Sequence, residues 1–578
     1  MTGSGGTPSR IRIALVVFGL TTFLGLVAAR LYFIQVIRHH DLGTRARGQY
    51  ERRIPVTARR GTVYDRSGRA LAVSLDAKSV FVHPGLVRDP RTTASRLAKV
   101  LKLPARQIRA KLREDRPFVW IRRKVDPGRA EVLAKLNLPG VGLVPEGKRY
   151  YPKKKLAAHL IGFVGVDERG LEGLELEYDR LLTGGPRAFV SRVDAKGRIV
   201  FRESEDSQLG SDLYLTVDEV IQHVAERELG AAVQRSGARA GTVIVMDPAT
   251  GEILALANTP SFNPNVYGSS PSAFRRNRAL TDPYEPGSTF KPVLAAAALE
   301  EGLVRPNDLF YGEGGVIEVA GVKIRDHERY GWMTFRDVLA FSSNVGAVKV
   351  GMKVGKDRFY SYISSFGFGV PTGVDLPGES RGRIRRPRQW SRLSLGALSI
   401  GHEISATPIQ LITAMSVVAN GGSLVRPYVL AAVRHPDGRV EEMRPLAIRR
   451  VISPGTARTL TSILTEVVER GTGQAAALPG YRVAGKTGTA QKFDRHTGAY
   501  SHTKVVAFFV GYVPAENPRC AILVLIDEPE RFAWGGSVAA PVFREIAREV
   551  VSYLEIPPAP PREKRIARRP GETSTRVN

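Results

Sequence analysis

The sequence predicts an α+β protein: an N-terminal transmembrane helix, an irregular β-rich module, and a larger domain with helices packed on an antiparallel sheet. Three observations predict it. Residues Ile13 to Ala29 carry no charge. Two runs rich in Val, Ile and Leu flank the turn sequence DPATG at 247–251, a strong hairpin signal. From about residue 211 the order is strands, helices, strands and a closing helix, which suits helices on an antiparallel sheet. The 578 residues allow roughly two to four domains. An apolar share of 43% with 24% charged residues is globular composition.

The apolar run IALVVFGLTTFLGLVAA lies between Arg12 and Arg30, and LYFIQVI prolongs it. A bilayer core of about 30 Å needs roughly 20 residues. The run therefore spans only with help from its flanks, with Arg30 snorkelling and Tyr32 at the interface. A cleaved signal peptide is the rival, since VAA resembles a cleavage site, but signal h-regions run about 7–15 residues. The expectation is a retained single-pass anchor at 11–37, with 1–10 cytoplasmic and the rest beyond the membrane. Basic residues follow the run as well as precede it, so the positive-inside signal is weak.

Residues 38–210 form the irregular module. ARRGTVYDRSGRALAVS at 58–74 reads as strand, DRSG turn, strand. Residues 90–136 read mainly as basic helices. The stretch 159–184 is punctuated by glycine and then helical, with its acidic residues expected on a solvated face and His159 expected to be structural. The second domain, 211–556, opens with a short strand and an amphipathic helix capped by Thr216 or Asp218. Helices dominate from 285 to about 420. Strands return in YRVAGKTGTAQK, KVVAFFVGYVP and RCAILVLID, and 537–554 is the closing helix. The Pro-rich basic tail, 557–578, is expected to be disordered.

Lys and Arg total 85 against 56 Asp and Glu, a net charge of +29. Residues 101–155 hold 16 basic and 5 acidic residues. Such a surplus points to an anionic partner, but zinc-finger spacing and a clear helix-turn-helix signal are missing. A solvated basic face near a membrane is the expectation, and nucleic acid is not. The single cysteine, Cys520, rules out a disulfide within the chain and argues against a Cys-based zinc site. It lies in a strand-like run and is expected to pack.

The chemistry starts at YEPGSTFKP. Ser288 stands where a helix N-cap stands, and capping alone explains a serine there. Lys291 is three residues on, so the two side chains share a face. A serine hydroxyl attacks only when a base takes its proton. A lysine serves as that base only when burial or a nearby cation makes it neutral. Ser288-x-x-Lys291 alone is a frequent chance match. FSSNVG at 341–346 adds Ser342 and Asn344 near the start of a predicted helix, and AGKTGTA at 484–490 places Lys486 on a strand. Gly485 and Gly488 are expected to clear the way for a ligand. The ordered triplet Ser-x-x-Lys, Ser-x-Asn, Lys-Thr-Gly is specific where each element is not.

With these motifs the chain resembles a class B penicillin-binding protein from about residue 11 to 556. RRGTVYDRSGRALA and GLEGLELEYD resemble the motifs of the N-terminal pedestal, placing it at 38–210. LTVDEVIQ, MDPATGEILALANTPSFNPN, NRALTDPYEPGSTFKP, GYRVAGKTGTAQK, FVGYVPAENPR and GGSVAAPVF resemble the transpeptidase domain at 211–556, a fold of the penicillin-binding and β-lactamase-like kind. Glu285 in NRALTDPYEPGS, together with GVDLPGES and ANGG, is similar to the cell-division (FtsI) type; the elongation type more often has Pro at 285.

The resemblance implies a peptidoglycan D,D-transpeptidase. Ser288 would attack the penultimate D-Ala of a stem peptide, with Lys291 as proton acceptor. Ser342 would relay a proton to the leaving amine, and Asn344 would hold Lys291 and the substrate amide. Lys486, Thr487, Gly488 and Thr489 would shape the substrate pocket, with Lys486 and Thr489 meeting the terminal carboxylate. The N–H groups of Ser288 and Thr489 would form the oxyanion hole. The implied partners are stem peptides, β-lactams acylating Ser288, a membrane-embedded glycan polymerase and divisome proteins. No metal or organic cofactor is implied. One departure stands out. Many relatives have Gly-x-Gly before TPxQ, and here SIGHEISATPIQ has Glu403 at the second glycine. His402 and Glu403 either contact the pocket or cap a helix, and capping is the expectation. A D,D-carboxypeptidase, a β-lactamase, a β-lactam sensor and an anchored scaffold remain rivals.

Overall fold

The computed structural model describes residues 7–43, 51–57, 59–184, 186–193, 199–203, 209–494, 499–531 and 534–558. The tail expected to be disordered lies outside the described residues except for 557 and 558, as do residues 1–6. Helix α1, Thr7–Tyr32, runs without a break into one π turn, Phe33–Ile37. Its 26 residues reach about 39 Å at 1.5 Å each, more than the hydrocarbon core requires. The helix is thus longer than its charge-free stretch. The Arg30 guanidinium lies 5.7 Å from the centre of the Phe33 ring. Among the described residues one helix, Ser9–Ile37, is long and apolar enough to cross a membrane.

Two compact units make up the chain. The larger takes Arg60–Ser74, Arg149–Thr183 and the chain from Gly210 onward; the smaller includes Leu75–Lys148. Two segments N-terminal to the division expected at 210/211 therefore belong to the larger unit.

In the smaller unit, Asp89 caps the helix Pro90–Leu101 by accepting the N–H groups of Arg91 and Thr92. The helices Ala105–Lys111 and Pro127–Lys135 follow, but Val119–Val125 between them is a strand, contrary to the expected run of helices. Val119, Ile121 and Val125 are buried in it while Arg122 is exposed. Its basic residues concealed that alternation from a charge-based reading.

In the larger unit Asp218, not Thr216, caps α2, Glu219–Ser236; the Thr216 hydroxyl donates to the Ile253 carbonyl instead. β1, Ala240–Met246, and β2, Ile253–Thr259, form the expected hairpin. The helices α3 (Lys291–Glu300), α4 (Asn344–Val354), α5 (Ser394–Ser399) and α6 (Pro408–Ala419) follow. Short strands at Leu309–Tyr311, Val316–Val319, Val322–Arg325 and Trp332–Thr334 interrupt the helical stretch, a departure from expectation. β3 (Ala484–Asp494), β4 (Ala499–Val513), β5 (Cys520–Asp527) and α7 (Gly535–Tyr553) complete the unit.

The central sheet is antiparallel in the order β2-β1-β5-β4-β3. It is covered on both faces. Val243, Val245, Ile522 and Val524 pack with Ile221 of α2 and Phe543 of α7, while Ile244, Met246, Leu523 and Leu525 pack in the core that holds Leu294 of α3 and Ile412 of α6. The period of two in each strand separates these cores. Cys520 packs inside β5, where burial pushes its thiol up to about 12. His159 is structural as expected. It is buried with Nε2 2.8 Å from the Phe274 carbonyl, and burial pulls its pKa down to about 4. The acidic stretch 168–179 is solvated only in part: Glu177 is exposed as expected, but Glu168 and Glu175 are buried. Glu175 is 0% exposed and accepts from both Arg60 and Arg149, while Asp179 also accepts from Arg60.

Candidate active site

Gly287–Phe290 is a single 3₁₀ turn that continues into α3 at Lys291. In such a turn residues three apart eclipse, so Ser288 and the following Lys291 project from the same side of the chain. The capping role considered for Ser288 is not observed. No side chain caps this turn, and the hydroxyl that bonds back to Pro286, at 2.6 Å, belongs to Thr289. Gly287 has φ +54° and donates its N–H to the Gly401 carbonyl at 3.1 Å. A Cβ on Gly401 would come within 2.0 Å of the Gly287 carbonyl oxygen, so glycine alone permits this approach.

Lys291 is 1% exposed. Its Nζ donates to the Ser342 carbonyl at 2.6 Å and to Asn344 Oδ1 at 2.8 Å, and lies 3.3 Å from Ser342 Oγ. Burial lowers its pKa to about 7, with the Asp326 carboxylate acting in the opposite direction. Ser342 sits at φ +61° in the turn before α4, whose N-cap is Ser343. The Asn344 amide donates from Nδ2 to the Arg325 carbonyl at 2.7 Å, which leaves its Oδ1 facing Lys291.

Lys486 is 0% exposed on β3 and donates to the Thr487 carbonyl at 3.2 Å. Burial drives its pKa well down, and the charge of Lys291 adds to that. The Thr487 hydroxyl meets that of Thr472 at 2.6 Å, and Thr489 Oγ1 accepts the Gly535 N–H at 3.1 Å. The two glycines of the motif have a different purpose from the one expected. A Cβ on Gly488 would lie 2.8 Å from Thr289 Cγ2 and 3.0 Å from the Pro286 carbonyl, so Gly488 lets β3 run against the turn that carries Ser288. A Cβ on Gly485 would meet the Phe509 ring at 2.6 Å. Both make room for protein, not ligand.

The structure thus brings Lys291 together with Ser342 and Asn344, sets Ser288 one turn away, and lays Gly488 and Thr489 along the same turn. Sequence reasoning missed Asp326. Its carboxylate accepts the Ser343 hydroxyl at 2.7 Å, the Val345 N–H at 3.1 Å and the Asn344 N–H, so it fixes the start of α4. It belongs to none of the three motifs and carries no sequence signal. His327 was missed as well. Its ring meets Trp534 edge to face at 4.5 Å, and burial followed by the charge of Lys291 lowers its pKa. His402 and Glu403 do not cap a helix. His402 Nδ1 lies 2.8 Å from Glu285 Oε2, and the Glu403 N–H donates to Glu285 Oε1 at 3.2 Å. Glu403 has φ +59°, so the backbone keeps the left-handed shape that suits glycine.

A serine one 3₁₀ turn from a buried amine whose pKa is brought down to about 7, backed by a second buried amine and a strand edge, suits acyl transfer through a serine ester. The model of the penicillin binding protein transpeptidase domain matches residues 241–548, and that of the penicillin-binding protein dimerisation domain matches 55–215. The chain is similar to stage V sporulation protein D of Bacillus subtilis, 35% identical over 557 residues, covering 94% of this chain and 86% of that protein. It is 36% identical over 561 residues to the probable peptidoglycan D,D-transpeptidase PenA of Neisseria gonorrhoeae, covering 95% and 94%. The peptidoglycan D,D-transpeptidase FtsI of Escherichia coli is 35% identical over 557 residues, with 95% and 92% covered. Penicillin binding protein 3 of Mycobacterium tuberculosis, solved in complex with aztreonam, is similar in structure with a TM-score of 0.69 and 31% identity, over 88% of this chain and 99% of that one.

Proposed function

The chain belongs to the class B penicillin-binding proteins, a family of serine-type peptidoglycan D,D-transpeptidases, and from that premise we propose that Ser288 is its nucleophile and the septum its place of work. Ser288 Oγ attacks the carbonyl of the penultimate D-Ala, and neutral Lys291 takes the hydroxyl proton. The oxyanion is held by the N–H groups of Ser288 and Thr489, donors of a kind worth roughly 10²–10³ in rate each. The C–N bond breaks, the terminal D-Ala leaves with a proton passed through Ser342, and the stem remains as an ester on Ser288. An amine of a neighbouring stem then attacks that ester, gives up its proton and releases Ser288 with the cross-link made. Asn344 orients Lys291 and the substrate amide. Lys486 and Thr489 receive the terminal carboxylate, and Thr487 and Gly488 line the strand along which the peptide lies. β-Lactams acylate the same Ser288.

The observation that carries this reading is the buried Lys291 amine, with a pKa near 7, one 3₁₀ turn from Ser288. Labelling with a fluorescent penicillin tests it. Wild type is expected to label, Ser288→Ala not at all and Lys291→Ala almost not; equal labelling of all three would overturn it.

The septal role rests on Glu285 with NRALTDPYEPGS, GVDLPGES and ANGG. In it α1 anchors the chain in the cytoplasmic membrane, the transpeptidase domain lies outside, and a glycan polymerase and divisome proteins are the partners. Depletion that leaves cells filamentous and without septa supports this role. Rounded cells that still divide would point to elongation instead.

A further inference from the structure

The Glu285 carboxylate, three residues before Ser288, is where three segments of the larger unit meet. Its Oε2 lies 2.8 Å from His402 Nδ1. Its Oε1 accepts the Glu403 N–H at 3.2 Å and the Tyr500 hydroxyl at 3.0 Å. The His402 ring stands edge to face on Tyr500 at 5.4 Å, and Tyr500 stands likewise on Phe493 at 5.6 Å. The left-handed Glu403 turns its N–H toward Glu285, and its own carboxylate takes the Ser394 hydroxyl at 2.6 Å, which pins the loop to α5. These hydrogen bonds go to one another and to Ser394, not to Ser288 or Lys291.

Their place in the sheet gives them a task. β3 carries Lys486 to Thr489, and β4 pairs with it from Thr489 opposite Ala507 out to Phe493 opposite Tyr500. The hairpin is therefore held to the nucleophile's segment at two points along its length. One is Gly488 against the turn Pro286–Thr289, and the other is Tyr500 on Glu285. The pairing of β4 with β5 runs from Val513 to Val506, so the hairpin extends past the sheet beyond Val506, and the Tyr500 contact with Glu285 holds that extension. We propose that Glu285, His402 and Tyr500 form a clamp that sets the angle of the β3–β4 hairpin against the turn carrying Ser288, and that acylation depends on it. All three are positioning residues. A shift of the hairpin by a fraction of an ångström would misalign the Thr489 N–H with the oxyanion, and misplacement of about 1 Å costs up to about 10² in rate.

The proposal rests on Ser288 as nucleophile, and time-resolved acylation by a fluorescent penicillin tests both, with binding (Ks) separated from the acylation step (k2). Tyr500→Phe removes one hydroxyl and keeps both ring contacts. It is expected to lower k2 about tenfold with Ks within about twofold, and with Tm held within about 2 °C. Glu285→Ala should lose at least as much, and Glu285→Gln, which keeps an acceptor for Tyr500 and Glu403, should recover most of it. The double variant Tyr500→Phe with Glu285→Ala should be no slower than Glu285→Ala alone, because the two act through one contact. Wild-type k2 in Tyr500→Phe, or losses that multiply in the double variant, would overturn the clamp. Should Glu285→Ala not fold, Tyr500→Phe with its Tm decides alone. Labelling that persists in Ser288→Ala would overturn the nucleophile assignment, and the clamp with it.

Discussion

Lys291 Nζ stands 2.8 Å from Asn344 Oδ1, and that amide is itself tied back through Nδ2 to the Arg325 carbonyl. The contact fixes the amine's position while leaving its charge to the pH, since an acceptor at this distance serves either a neutral or a charged amine.

The acylation rate should therefore rise with pH through about 7 and level off above it, because only the unprotonated amine can take the Ser288 proton. Lys291→Arg stays charged across this range and should lose the limb along with about 10²–10⁴ of the rate. Stability follows the same group. The folded-state pKa of about 7 lies below the ordinary 10.5, so the unfolded chain binds more protons between those values. The penalty of the buried charge is full below pH 7 and gone above about 10.5. Lys291→Met should gain most in Tm at pH 6 and progressively less toward pH 10; a constant difference would contradict the shift.

Asp326 raises the pKa of Lys291 and holds the start of α4. Asp326→Asn removes the charge, so the acid limb of the acylation profile should move to lower pH. A limb that stays in place would exclude Asp326 as the group acting on Lys291. Asp326→Ala also leaves the Ser343 hydroxyl and two N–H groups without their acceptor, and should cost about 1–3 kcal/mol in chemical denaturation.

Glu403 combines a left-handed backbone with a hydrogen bond from Ser394. Glu403→Ala loses the bond and keeps the strain, whereas Glu403→Gly loses the bond and relieves it. The glycine variant should be the more stable of the two by about 1 kcal/mol. Equal stabilities would show that the positive φ carries no cost here.

Glu175 is enclosed between two guanidinium groups. Glu175→Ala leaves Arg149 without its counter-charge and Arg60 with Asp179 alone, and should cost about 3–5 kcal/mol. Glu545→Ala, which breaks part-exposed pairs with Arg544 and Arg548, should cost about 0–1 kcal/mol. Similar losses in the two would mean that burial does not set the value of these pairs.

Much of the candidate site was legible because its groups lie in short, ordered motifs. Spacing alone put Lys291 on the face of Ser288, and the two apolar runs around 247–251 announced the hairpin at the sheet's centre. What stayed hidden depends on residues meeting from far apart. Asp326 reaches the start of α4 only through the small strands that interrupt the helical stretch. Glu175 reads as a surface acid until Arg60 and Arg149 close over it. Val119–Val125 carries its strand pattern beneath three consecutive basic residues. Glu403 looked like a departure from a glycine pattern, yet its backbone keeps the shape that the glycine would take.

The enclosure of Lys291 and Lys486 has a consequence for ligand binding. A proton on one opposes a proton on the other, so near neutral pH the two amines together hold fewer protons than two separate amines would. An arriving carboxylate reverses that preference, and complex formation should draw a hydrogen ion out of the solvent. The binding heat then varies with the ionisation enthalpy of the buffer, and the affinity for anionic ligands declines as pH rises above 7. The pair thus gains positive charge when an anion arrives to share it.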